Sequence, residues 1–244
     1  MTTEATPAAA AAGREHWTAK GDVRLFLWQK KAVTGPRQGT ILFVHGSSMA
    51  SQPTFDLAVP GRPDSSAMDW FAKRGFDTWC VDMEGYGRSD KKRDINFDIA
   101  NGADDLAAAS QYILDKTGAG PLLVYGISSG ALKAALFAER HPERIARLAL
   151  DDSVPTGTYV DMCSKLPLVD PAKITAPTLV MRGEYDGIAG FDDLVEFFKR
   201  LPNADKQFAV MAGISHASFQ QKNYLMVYHI LHAFFSQPDP VYRG

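Results

Sequence analysis

Short apolar runs recur along the chain at 23–28, 40–44, 76–81, 122–125, 145–150, 178–182 and 208–211. Between them, at 65–73, 99–116, 129–139, 191–201 and 217–235, apolar positions return at the three-to-four-residue spacing of a helix. The middle runs are largely apolar throughout, as expected of parallel strands buried on both faces, and helices separate them. With right-handed crossovers this pattern predicts an α/β fold: a mostly parallel central sheet with helices on both faces. No internal repeat or linker interrupts it. Residues 1–15, rich in alanine and threonine, offer little to pack and read as a flexible tail, followed by one domain over 16–244.

Composition narrows the partners. A chain of 244 residues buries about 70% of the surface its unfolded form exposes, so its core needs no staples. Lys and Arg number 26 against 28 Asp and Glu, and the longest basic run is Lys91-Lys92-Arg93; a nucleic-acid partner is not expected. No apolar stretch reaches the ~20 residues of a membrane span. The first residues lack the basic start and apolar core of a secretory signal. Cys80 and Cys163 are the only cysteines, too few for a disulfide framework, and a cytoplasmic protein with reduced thiols is expected. No phosphate-cradling loop, dinucleotide fingerprint or metal cluster is present, so no cofactor is implied.

The strongest chemical signal lies where Leu122-Leu123-Val124-Tyr125 runs into Gly126-Ile127-Ser128-Ser129-Gly130 and then into an alanine-rich helix. This is G-x-S-x-G in a strand–turn–helix setting, which lifts the hydroxyl of Ser128 above the carboxyl edge of the sheet. Two other stretches share the pattern. Ile41-Leu42-Phe43-Val44 ends in His45-Gly46-Ser47 and a long loop, and Asp82-Met83-Glu84-Gly85-Tyr86-Gly87-Arg88-Ser89 follows the next strand.

Together these three stretches resemble the α/β-hydrolase family over residues 20–236. The resemblance implies a serine hydrolase with an oxyanion hole formed by the backbone N–H groups of Ser47 and Ser129, with Ser48 the alternative to Ser47. It implies a base at His216, which follows the run 208–211 and is read as opening the last helix. It implies an acid at Asp186, because Ala176-Pro177-Thr178-Leu179-Val180-Met181-Arg182-Gly183-Glu184-Tyr185-Asp186 is similar to the family's P-T-L-x-x-x-G-x-x-D. Glu184 falls two residues early. Asp151 and Asp152, ending the preceding strand, are rival acids, and Asp82 reads as structural. The other histidines have duller readings: His16 at the tail's edge, His45 in the turn before the oxyanion loop, His141 ending a helix, and His229 with His232 packing an apolar helix.

The expected activity is cleavage of small carboxylic esters through an acyl-enzyme, with a Ser128, His216 and Asp186 triad. Lactone or carbon–carbon hydrolysis, acyl transfer and perhydrolysis use the same triad and stay open. A non-catalytic ligand-binding member of the fold is the reading from another class. Many relatives insert a helical cap between the strand ending at Leu150 and the one starting near Thr178. Only residues 151–177 lie there, room for one short helix around 159–165, so a minimal lid is predicted. That predicts an open cleft over Ser128, weak discrimination among acyl chains, and uncovered apolar surface favouring self-association.

Overall fold

In the computed structural model, residues 11–151, 168–216 and 218–238 are described. Eight strands form one sheet: β1 (Gly13–Lys20), β2 (Val23–Lys30), β3 (Gly39–Val44), β4 (Phe76–Val81), β5 (Leu122–Ile127), β6 (Ile145–Asp151), β7 (Thr178–Gly183) and β8 (Lys206–Met211). Their order across the sheet is β1-β2-β4-β3-β5-β6-β7-β8. β2 runs antiparallel to both β1 and β4, and the pairs from β4–β3 through to β7–β8 are parallel. The predicted α/β architecture is therefore present.

Side chains alternate across a strand with period two, and the inner strands feed two cores this way. Leu42, Val44, Val124, Leu148, Leu150 and Val180 join one core, while Ile41, Phe43, Tyr125, Ala149, Leu179 and Met181 join the other. Helices α3 (Ile99–Thr117), α4 (Ser129–Arg140) and α5 (Phe191–Arg200) supply residues to the first core. Helices α1 (Ser51–Phe55), α2 (Ala67–Ala72) and α6 (Tyr224–Phe235) supply residues to the second. Local chemistry sets several helix ends. Ser66 and Asp98 cap α2 and α3 by accepting the N–H of Asp69 and Asn101, and α3 stops at Gly118, whose φ of 61° suits glycine.

Three elements depart from the expected pattern. The chain is already a strand at Gly13, so the tail read over 1–15 is cut back: Ala11 is buried, its N–H on Asp69 Oδ1 at 3.2 Å, and residues 1–10 lie outside the described part. The loop after β3 contains α1, five residues long. The last helix begins at Tyr224 rather than 217, after a 3₁₀ turn at Ser218–Gln220, because the polar stretch Gln220-Gln221-Lys222-Asn223 interrupts the apolar spacing. Most of the minimal lid read over 151–177, including the helix predicted at 159–165, falls in residues 152–167 and so lies outside the described residues. Among the described residues no helix is long and apolar enough to cross a membrane.

Candidate active site

β5 ends at Ile127 and α4 begins at Ser129, leaving Ser128 alone to make the turn. Its backbone sits at φ 56° and ψ −129°, a strained conformation for a residue with a Cβ, costing on the order of 1–3 kcal/mol. Close packing holds it there. A Cβ on Gly126 would come within 2.5 Å of the Gly130 carbonyl oxygen, and one on Gly130 within 2.5 Å of the carbonyl oxygens of Val44 and His45. The Ser128 N–H donates to the Asp151 carbonyl at 3.0 Å, tying the turn to β6. The hydroxyl does not cap α4; it lies 2.9 Å from His216 Nε2.

His216 sits in the turn between β8 and the 3₁₀ segment, eight residues before α6, so it does not open the last helix. Backbone bonds clamp this turn to the loop after β7: Glu184 N–H to the Met211 carbonyl and Tyr185 N–H to the Ile214 carbonyl, each 2.9 Å. Glu184 also accepts the Gly213 N–H at 2.9 Å, which gives this early carboxylate a bracing role. The clamp brings His216 Nδ1 to 3.1 Å from Asp186 Oδ2. The other oxygen of Asp186 accepts the N–H groups of Ile188 at 2.8 Å and Ala189 at 3.2 Å. Burial opposes its ionisation, but the hydrogen bonds from His216 and from these two N–H groups outweigh it and hold the carboxyl at about 2. An ionised carboxylate only accepts, so Nδ1 carries the hydrogen and Nε2 is left as an acceptor facing the Ser128 hydroxyl. His216 keeps a quarter of its side chain exposed, and Ser128 is half-buried, so the pair can be reached from outside.

Ser47 and Ser129 lie on opposite sides of the turn, their hydroxyls 2.8 Å apart, and Ser48 follows with φ 65°. The loop is anchored from beneath by His45. Its Nδ1 donates to the Gly46 carbonyl at 2.7 Å and its Nε2 accepts the Met83 N–H at 3.1 Å. Burial, helped by the nearby Lys133 charge, lowers this imidazole to about 4, so it stays neutral. Asp82 ties neighbouring loops, accepting the N–H and hydroxyl of Ser51 and the N–H of Arg88.

One network was not legible in the sequence. Asp151, fully buried, accepts the Tyr125 hydroxyl at 2.5 Å and the Ser218 hydroxyl at 2.6 Å, both on Oδ2, while Oδ1 has no partner among the described residues. Burial pushes this carboxyl up to about 6 despite both hydroxyls. Asp151 thus links the nucleophile turn, through its backbone, to the segment after His216, through Ser218. An acidic pair, Asp151-Asp152, closing an apolar strand is the signal the sequence offers. Its rival Asp152 lies outside the described residues.

The remaining candidates are packed. His229 and His232 lie edge-on to Trp70, with ring centroids 5.3 and 5.7 Å away. His141 ends α4, and Cys80 is buried. In the loop after β3, Phe55 is also buried, against Phe43, Tyr125 and Phe219. Among the described residues no group of three or more His, Cys, Asp or Glu is arranged to hold a metal ion.

Residues 39–172 match the family model described as alpha/beta hydrolase fold. No curated protein matches at the sequence level. Among solved structures, a predicted CIB-like hydrolase from Thermoplasma acidophilum is similar over 93% of this chain and 100% of its own, with a TM-score of 0.71 and 17% identity. An esterase of Pyrococcus furiosus matches with a TM-score of 0.71 and 18% identity, covering 92% of this chain and 91% of its own. A Butyrivibrio proteoclasticus protein with bound ferulic acid has a TM-score of 0.69 and 16% identity, over 90% and 97%.

Proposed function

Because the chain belongs to the alpha/beta hydrolase fold family, we propose that it is a serine hydrolase cleaving small carboxylic esters through an acyl-enzyme. The observation that carries this reading is the unbroken hydrogen-bond chain from Ser128 Oγ through His216 to Asp186, at 2.9 and 3.1 Å, on a strained turn. Ser128 Oγ attacks the ester carbonyl carbon while His216 Nε2 takes its proton. Asp186 holds the ring in the required tautomer and stabilises the imidazolium. The oxyanion of the tetrahedral intermediate is met by the backbone N–H groups of Ser129 and of Ser47 or Ser48, fixed donors that need no reorganisation. Collapse of the intermediate expels the alcohol, which receives the proton from His216. A water then repeats the sequence on the acyl-enzyme, releasing the acid and regenerating Ser128. That one structural neighbour is an esterase agrees with this bond class.

The test is Ser128→Ala. Ester turnover should fall roughly 10⁴- to 10⁶-fold, and covalent labelling by a fluorophosphonate should disappear while the thermal transition stays cooperative. Retained turnover would move the nucleophile elsewhere, with Ser129 the first place to look. A wild-type protein that never labels would instead be a ligand-binding member of the fold. A substrate panel run on the same protein separates esters from lactones, amides and acyl-transfer pairs.

A further inference from the structure

At the opposite edge of the sheet from Ser128 lies a cavity of about 430 Å³, within the range of roughly 300–1,000 Å³ usual for small-molecule sites. It opens between the start of β1, the loop after β2 and the C-terminal end of α3, beside Asp77 near the amino end of β4. Its charge differs from that of the molecule, whose net charge is −2. Arg14, Lys31, Arg37 and Lys116 line it against one carboxylate, Asp77.

That carboxylate is already engaged. Asp77 accepts Gln29 Nε2 at 2.9 and 3.2 Å, Trp79 Nε1 at 3.3 Å and Arg37 at 3.4 Å. The Gln29 carbonyl oxygen lies 3.0 Å from His16 Nε2, and His16 Nδ1 lies 3.1 Å from the Tyr112 hydroxyl. Since the Gln29 amide donates to Asp77, its oxygen accepts from Nε2, and Nδ1 accepts from Tyr112. The floor is thus a closed chain of hydrogen bonds around a neutral imidazole. Above it, the side chains of Arg14, Lys31 and Lys116 make no hydrogen bond or ion pair among the described residues. Burial lowers the His16 imidazole, and Lys116 and Arg14 add to the depression, as expected of two cations facing one small volume. Each cation alone has an ordinary reason to be there. Lys116 suits a helix C-terminus, and a charged residue on β1 protects an edge strand. Neither reason explains their convergence on a cavity with no free acid.

We propose that this cavity binds a small soluble polyanion of the phosphate-ester or pyrophosphate class, held by Arg14, Lys31 and Lys116. Several ligand oxygens are needed to engage three separate cations, which a single carboxylate does not supply. A concave site with a hydrogen-bonded floor suits a free ligand better than a membrane face. The inference is independent of the hydrolase reading, since no residue is shared.

Calorimetric titration of the full chain with sodium pyrophosphate tests it. One saturable site is expected, weakened by added NaCl because the cations are exposed. The Arg14→Gln/Lys116→Gln double variant should lose on the order of tenfold or more in affinity, and Lys199→Gln, at an exposed position of α5, should lose none. Bound pyrophosphate should also raise the pH at which the His16 ring protons titrate by NMR, by offsetting the two cations. If the double variant does not fold, Lys31→Gln takes its place, with weakened binding again expected. The proposal is overturned by the absence of saturable binding, by binding that these substitutions leave unchanged, or by binding seen only with vesicles containing phosphatidic acid.

Discussion

Asp151 and Asp186 belong to neighbouring segments at the same edge of the sheet, one ending β6 and the other just beyond β7, and both are buried. Yet one is held at about 2 and the other pushed up to about 6. Burial weighs more heavily on Asp151, and the donors differ as well. Asp186 receives two backbone N–H groups and an imidazole, spread over both oxygens. Backbone donors are fixed in place and cannot accept in return, so they favour the charged form. Asp151 receives two hydroxyls on one oxygen and nothing on the other. Hydroxyls rotate, and can accept a hydrogen bond from a protonated carboxyl as readily as they donate to a charged one. Two like residues are therefore suited to opposite work: Asp186 to balancing a positive imidazolium, and Asp151 to fastening strands together.

The sharpest way to break this contrast is Asp186→Asn. It should lower kcat/KM for an ester on the order of 10⁴-fold, as loss of the orienting carboxylate does elsewhere, whereas Asp151→Asn should cost tenfold or less. A kinetic comparison giving the reverse order would transfer the acid to β6. Asp151→Ala comes next, and its effect is on stability. It removes the carboxylate that the Tyr125 and Ser218 hydroxyls donate to, at about 1–3 kcal/mol each, visible as an earlier denaturant midpoint. An unchanged midpoint would mean that the network holds nothing together.

The smallest effect is a pH dependence. With Asp151 near 6 in the folded chain against an ordinary 3.8, the folded state holds a proton that the unfolded state has released. Stability from this group is therefore greatest below about pH 4, falls as pH rises towards 6, and is level above that. Asn cannot titrate, so Asp151→Asn should gain on the wild type across this window, by on the order of 3 kcal/mol, in melts run at pH 4, 5, 6 and 7. A difference independent of pH would show that Asp151 is ionised when folded. Asp186 carries the opposite sign: its contribution is present above about pH 4 and is lost as pH falls towards 2.

What could be read from the sequence follows from the range of the interactions involved. The inner strands are legible because burial on both faces demands unbroken apolar runs, as in β5. β1 is not, because an edge strand tolerates Arg14, Glu15 and His16 in succession, with Trp17 left 38% exposed. α1 is too short to display a period. The serine turn announces itself because its glycines must stand at fixed offsets from Ser128. The partners of Asp151 lie 26 and 67 residues away, at separations that no local pattern records. The start of the last helix is not legible, because apolar spacing continues on both sides of the polar stretch 220–223 that delays it to Tyr224.

His216 meets Ser128 across 88 residues of chain, and Asp186 lies 30 residues before His216. Synthesis runs from the N-terminus, so the parts of the serine turn, from β3 to α4, leave the ribosome well before β8 exists. Until residue 216 is translated and β8 has paired beside β7, the hydroxyl of Ser128 has no imidazole to draw off its proton and stays an ordinary alcohol. On the proposed serine-hydrolase reading, chemical competence is thus a late acquisition of the growing chain, and an unfinished copy carries the turn without its reactivity.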